Sequence, residues 1–412
     1  MILDGYDCFG FIEMNSGALR NILDYQGTIA PHTGEPFTEA MLMGLGGGIG
    51  AEYLTWRTQT GSAELYLRFR YKPSKVSSWK DWFVTRIASR IGAKVTVHQT
   101  ANREKGHNML VDSLNDGKPV IAHLLRGEEK NNEFIRYLPY YTLPFKWVAG
   151  VQCVVVYGVD EGNNQVFLAD KSAHPFTITL EELAEARAAN PGLKHAIIVV
   201  DPPPKAEKLE TAIKAGIRDC YQSLLNEYIR NCRVEAFEVW ADRLVNRKHK
   251  QGWLQLFPNK QLFDVLTKVH GVITFFNSSG GALRSVYADF LNEASDVIGE
   301  PELPKVALRY REVASQWKGL AKAALPDSLD LFQEVRLAME QWADIFVTKG
   351  QSAQPELEEI GEKLVALRKQ VVESWTPYDR DILNLLEDLK KRLLSIYKGE
   401  KEAIKALKSI IA

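Results

Sequence analysis

"FGFIEMNSGALRNILDYQG", residues Phe9–Gly27, decides how the rest of the chain is read. Phe9 to Ile12 is mostly apolar and reads as a short strand. From Ser16 to Gln26 apolar residues recur at three- and four-residue steps, the period of an amphipathic helix. Gly27 then supplies the left-handed residue that commonly follows a helix end. A strand that turns into a helix is a place where some enzyme folds put a nucleophile. Here that place holds Met14, a thioether whose ordinary role is to fill irregular core space.

The 412 residues suffice for two or three domains, and 45% hydrophobic with 25% charged residues is an ordinary globular composition. A formal net charge of -1 gives no electrostatic case for binding nucleic acid or an anionic membrane. "MILDGYDCFG" has acids where a secretory leader would have lysines. No apolar run approaches the ~20 residues of a membrane helix. A cytoplasmic protein is expected. Cys8, Cys153, Cys220 and Cys232 are too scattered for a zinc site or a disulfide framework, so free thiols are expected. Neither a cofactor nor a metal is expected.

The halves differ in texture. Up to Asp201, strand and helix signals alternate. "KPVIAHLL" and "HAIIVVD" are β-branched runs, the second read as the last strand of its sheet. Val151–Asp160 and Gln165–Asp170 form a hairpin around Glu161–Asn164. Helices are expected over Ser78–Ile91, Lys105–Asn115 and Leu180–Ala189, the last opened by a capping box of Thr179 and Glu182. "DPPPK", Asp201–Lys205, breaks both patterns, since proline continues neither a helix nor a central strand. Beyond it almost everything has helical period. The last two helices, about Pro355–Trp375 and Pro377–Ile411, are heptad-like and highly charged, with Thr376 and Pro377 as cap and first position.

The stretches "SGALRNILDYQG", "FTEAMLMGLGGGIGAEYL", "DSLNDGKPVIAHL", "VVVYGVDEGNNQVFLAD" and "TITLEELAEAR" stand in the order and spacing of a known family. "GVITFFNSSGGALRSVYADFLNEAS" and "VASQWKGLAKAAL" extend the match to about residue 345. The chain resembles butirosin biosynthesis protein H and its relatives. The resemblance implies an α+β fold: a papain-like, cysteine-peptidase-like N-terminal domain over 1–200, a proline-rich linker at 201–207 and an all-helical domain over 208–412. It also implies acyl-transfer chemistry. In the family a cysteine at the first helix attacks a carrier-protein thioester, a histidine on a later strand activates it, and an aspartate on the next strand orients that histidine. The acyl group then passes to an amine. A helix N-terminus and a neighbouring imidazolium both favour the thiolate, and the acyl-enzyme divides one hard step into two.

Transferred residue by residue, the cysteine position is Met14 and the histidine beside it is Glu13. The general-base position is Gln152, and only Asp170 in "FLAD" retains the family residue. Glutamine donates and accepts hydrogen bonds but does not titrate. Cys8 lies six residues from Met14, and Cys153 faces the other side of its strand from Gln152. Ser16 is at the helix start, with His123 and His174 as the remaining candidate bases, each more simply read as a structural histidine.

Several other features are candidates for a ligand cleft. "GLGGGIG", Gly44–Gly50, lacks the Lys-Ser/Thr of a phosphate loop and reads as a tight turn near the first helix, with Gly46, Gly47 and Gly48 bordering the cleft. "NSSGG", Asn277–Gly281, precedes a helix at Ala282 and reads as an N-cap by Ser278 or Ser279, with anion binding as the alternative. Arg284 and Tyr287 lie one turn apart. In "RYLPYYTLPFKW", Tyr140 and Tyr141 form either a substrate wall or a packed loop. Glu13, Gln152 and Asp170 together offer oxygens for a hard cation, less simply than a shared proton or an arginine. Ile382, Leu385, Leu386, Leu389, Leu393, Ile396 and Tyr397 make an apolar helix stripe suited to packing in its own domain or to a homo-oligomer.

Three functional readings follow. The chain is a degenerate acyltransferase relative that binds a small metabolite or an acyl-carrier partner. Alternatively it is an active acyltransferase or amide hydrolase using Ser16 with His123 or His174. In the third, it is an assembly protein that interacts through its helices.

Overall fold

The structure is a computed structural model that describes residues 1–58, 61–72, 82–130, 133–189, 192, 194–203, 209–258, 260–276, 280–374 and 380–411. The chain begins with α1 (Met14–Tyr25) and α2 (Glu39–Leu45), then the hairpin β1 (Ile49–Arg57) and β2 (Ala63–Arg70). Next come α3 (Trp82–Ile91), β3 (Lys94–His98), α4 (Arg103–Asn115), β4 (Val120–Leu125), β5 (Gly127–Lys130) and β6 (Glu133–Arg136). β7 (Val151–Asp160), β8 (Gln165–Ala169), β9 (Phe176–Ile178), α5 (Leu180–Ala188) and β10 (Ile197–Asp201) complete the α/β region. The helical region runs through α6 (Glu210–Asn226), α7 (Ala236–Val245), α8 (Trp253–Leu256), α9 (Lys260–Gly271), α10 (Arg284–Ile298) and α11 (Leu303–Ala324). It ends with α12 (Asp330–Lys349), α13 (Gln354–Ser374) and α14 (Arg380–Ile411). None of the helices is long and apolar enough to cross a membrane, among the described residues.

By compactness the chain forms two units, and they are not the halves on either side of the 201–207 linker. The first comprises Met1–Leu42, Val76–Leu209 and Glu340–Leu364; the second comprises Met43–Lys75, Glu210–Met339 and Val365–Ala412. In the first unit an antiparallel sheet has the order β3-β10-β4-β7-β8-β9. β4 is buried along its whole length, which suits its run of apolar residues. β10, the last strand in sequence, lies inside the sheet between β3 and β4. α1 packs on β7, α3 on β3 and α5 on β4. The expected hairpin is present as β7–β8, with a turn over 161–164. The Thr179 capping box forms as read: Glu182 N donates to Thr179 Oγ1 at 3.1 Å, and Thr179 N donates to Glu182 Oε2 at 2.7 Å.

Two local expectations differ. Phe9–Ile12 is not a strand. Its backbone donors go to side chains instead: Phe9 N to Asn21 Oδ1 at 3.1 Å and Ile12 N to Glu39 Oε2 at 3.0 Å. α1 starts two residues before Ser16 because Glu13 caps it. Further along, α10 starts at Arg284 rather than Ala282, since Ala282 and Leu283 both have positive φ, 50° and 66°. The proposed caps Ser278 and Ser279, the pair Thr376 and Pro377, residues 78–81 of the helix expected over Ser78–Ile91 and residues 204–207 of the linker lie outside the described residues.

In the second unit β1–β2 pairs as a hairpin, and α14 lays its apolar stripe on α6, α7 and α11. Leu385, Leu386, Leu389, Leu393 and Ile396 are buried there, so the stripe is used within its own unit.

Candidate functional site

At the start of α1 the first helical residue is the half-buried Met14. The Glu13 carboxylate caps it: Oε2 accepts from the backbone N–H of Asn15 and of Ser16, each at 2.9 Å. Asn15 Nδ2 donates to Glu13 Oε1 at 2.8 Å. An internal anion therefore takes the donors and the dipole end that would stabilise a thiolate.

Beneath it sits a second buried carboxylate, Glu39, placed by α2. Glu39 Oε1 accepts from Glu13 N at 2.6 Å, and the Ser16 hydroxyl donates to Glu13 Oε2 at 3.2 Å or Glu39 Oε1 at 3.3 Å. Burial pushes the Glu39 carboxyl up to about 7, aided by the Glu13 charge and opposed by the Ile12 and Glu13 N–H groups. Lys171 supplies the cation, donating from Nζ to Ile12 O at 2.8 Å. Burial lowers its ammonium to about 8, while Asp170, Glu39 and Glu13 hold it up.

The second half of the site is a closed network around Asp170, just past β8. Gln152 Nε2 donates to Asp170 Oδ1 at 2.7 Å, and Arg126 Nη1 donates to Gln152 Oε1 at 3.0 Å. The Tyr141 and Tyr140 hydroxyls both donate to Asp170 Oδ2, at 2.9 and 3.2 Å. Burial raises the Asp170 carboxyl, against the Lys171 charge and the Tyr141 and Gln152 donors. The amide of Gln152 thus holds its two neighbours as a neutral imidazole would, with one donor and one acceptor.

Gln152 and Asp170 converge, and Glu13 belongs instead to the Glu39 and Lys171 cluster. Among the described residues no group of three or more His, Cys, Asp and Glu side chains is placed to hold a metal ion. Tyr140 and Tyr141 are buried, and their loop packs inside the first unit. Tyr140 stacks on Phe176 with centroids 4.3 Å apart, Tyr141 lies 5.0 Å from Phe346, and Trp342 Nε1 donates to Thr142 Oγ1 at 2.7 Å.

The nucleophile alternatives are placed as follows. The Ser16 hydroxyl meets Glu13 and Glu39, with no histidine on it among the described residues. His174 is exposed, beside Gly350. Cys8 is half-buried, and burial pushes its thiol up to about 11. The β4–β7 register sets His123 opposite Cys153, so the two share a face of the sheet. That face meets α1, since Cys153 Sγ lies 3.6 Å from Asn15 Oδ1.

Gly46, Gly47, Gly48, Arg284 and Tyr287 lie in the second unit and are buried. Gly48 has φ +69°, and a Cβ there would stand 2.4 Å from Tyr287 Cε2; one on Gly47 would stand 2.3 Å from Tyr71 Cδ1. The space beside Gly47 and Gly48 is taken by these aromatic rings. Arg284 is fully engaged: Nε donates to Glu400 Oε1 at 2.5 Å, Nη1 to Ala282 O at 2.7 Å, and Nη2 to Gly50 O at 2.8 Å.

Sequence reasoning missed Glu39, Arg126, Lys171 and Glu400. Lys171 was the most accessible, because it directly follows Asp170. Glu39 and Arg126 carried no local signal, since their partners come from other elements.

Residues 13–171 match the family model described as butirosin biosynthesis protein H, N-terminal. Residues 181–345 match the model of a domain of unknown function. Comparison with curated proteins gives no significant match.

Proposed function

Because residues 13–171 match the butirosin biosynthesis protein H N-terminal model, we propose that this chain is an acyltransferase-related protein whose thiol site is degenerate. The papain-like reading of its fold is part of the same proposal, supported by a helix N-terminus packed against an antiparallel sheet. The observation that carries it is the Glu13 carboxylate on the N–H groups of Asn15 and Ser16. With Met14 at the thiol position, the oxyanion-stabilising end of α1 is already neutralised. Gln152 keeps the Asp170 network closed without a titrating base. What remains is a scaffold that binds a small metabolite or an acyl-carrier partner.

Intact mass spectrometry after incubation with N-acetylcysteamine acyl thioesters tests this. Unchanged mass is expected for the wild type. Stoichiometric acylation of the wild type would overturn the proposal. Mass spectrometry of small molecules released from protein purified out of cell extract then identifies the ligand.

One observation favours a second reading. Cys153 and His123 face each other across β4 and β7, next to Asn15. A transferase could draw its thiol from the strand instead of the helix. Acylation of the wild type mapped to Cys153, and lost in Cys153→Ser, would establish that reading.

A further inference from the structure

We propose that the cavity between α4 and α5 binds a small amphipathic anion, its carboxylate or phosphate head on the Arg187 guanidinium and its hydrocarbon on Leu180, Leu183 and Ala184. The cavity has a volume of about 380 Å³ and lies within the first unit. That is at the lower end of the ~300–1,000 Å³ typical of small-molecule sites. Leu180, Leu183, Ala184 and Arg187 line it from α5, Arg103, Glu104 and His107 from α4, and His195 from the segment before β10.

Arg187 is only 3% exposed. Its Nη2 donates to the carbonyls of His195 at 2.6 Å and Gly106 at 3.1 Å, and its Nε has no hydrogen-bond partner among the described residues. No carboxylate forms an ion pair with it among those residues. Burial pushes the guanidinium down to about 10 with no acid to offset the effect. A buried charge of this kind costs several kcal/mol unless an anion meets it. Arg103 is already paired with Glu181, and the His107 ring is hydrogen-bonded to Glu161. Glu104, the one carboxylate in the lining, is exposed, which leaves the buried Arg187 as the place for an anionic head.

The backbone is bent to build this wall. Lys194 and His195 both adopt left-handed φ, 46° and 50°, a conformation that costs a non-glycine residue free energy. Gly106 lets that turn approach, since a Cβ there would stand 2.8 Å from the His195 Cβ. The buried His195 has its pKa lowered by burial and by the Arg187 and Arg103 charges. It therefore offers a neutral hydrogen-bonding ring beside the guanidinium.

Calorimetric titration of the full chain with hexanoate, hexyl phosphate, inorganic phosphate and 1-hexanol tests the site. One or both hexyl anions are expected to bind, with hexanol and inorganic phosphate at least about tenfold weaker. The tighter of the two anions names the head group. Arg187→Gln should weaken binding by about 10- to 100-fold, the worth of one charge-assisted contact. Ala184→Leu fills the cavity while leaving Arg187 in place, and should abolish binding with an unchanged circular dichroism spectrum. Absence of binding by both hexyl anions, equal binding of hexanol, or unaltered binding in Ala184→Leu would each overturn the proposal.

Discussion

Gln152 and Asp170 meet at 2.7 Å, amide to carboxylate, with neither side chain open to solvent. The same amide accepts from Arg126. It therefore separates a half-buried cation from a buried anion and hydrogen-bonds both.

Gln152→Ala should leave Arg126 and Asp170 each short of a hydrogen bond. The expected loss is roughly 2–4 kcal/mol in chemical denaturation, because buried charged groups carry most of that cost. Gln152→His should recover most of it, since a neutral imidazole offers one acceptor to Arg126 and one donor to Asp170. Equal losses for the two variants would show that side-chain volume, not hydrogen bonding, matters there.

Glu39 predicts a pH dependence. Its folded carboxyl titrates near 7 against an ordinary 4.5. Between those values the folded state holds more protons than the unfolded one, so stability falls as pH rises. The full span is about 3 kcal/mol. Urea denaturation of the wild type at pH 4.5 and pH 7.5 should show this decline, and Glu39→Gln should flatten it. An unchanged slope in the variant would assign the dependence to other groups.

Arg284 and Glu400 form a fully buried ion pair in the second unit. Removing one partner strands the other, and Glu400→Ala should cost about 3–5 kcal/mol. Arg284→Met combined with Glu400→Leu should cost much less than Glu400→Ala, as an apolar replacement leaves no unpaired charge. Thermal unfolding of the three proteins measures the difference.

Gly48→Ala forces a Cβ onto Tyr287 and a side chain into a left-handed φ. A destabilisation of roughly 2–4 kcal/mol is expected from the two effects together. Tyr287→Ala in the same background should relieve the steric part, and a double-mutant cycle reads that coupling.

Local signals were legible and long-range ones were not. The β7–β8 hairpin and the Thr179 box are each written within 20 residues of chain, in a β-branched run, turn composition and a three-residue spacing. The start of α1 was misplaced because its cap, Glu13, is a residue type that seldom caps a helix. Glu400 sits in "YKGEKEAIK", where a carboxylate among lysines looks solvated. Partners 116 and 83 residues earlier, Arg284 and Trp317, make it a core residue. Gly46 to Gly48 read as a loop beside a cleft, yet the Cβ positions of Gly47 and Gly48 face Tyr71 and Tyr287, rings that local reading has no means of placing there.

The first unit draws on residues up to Leu364, which supply Trp342 and Phe346 to the tyrosine loop. A ribosome making this chain has therefore released more than three hundred residues before that aromatic cover exists. Neither unit is complete until the other is largely synthesised, so cutting the gene at the proline-rich junction should yield two insoluble fragments where a mixture of both, refolded together, regains order.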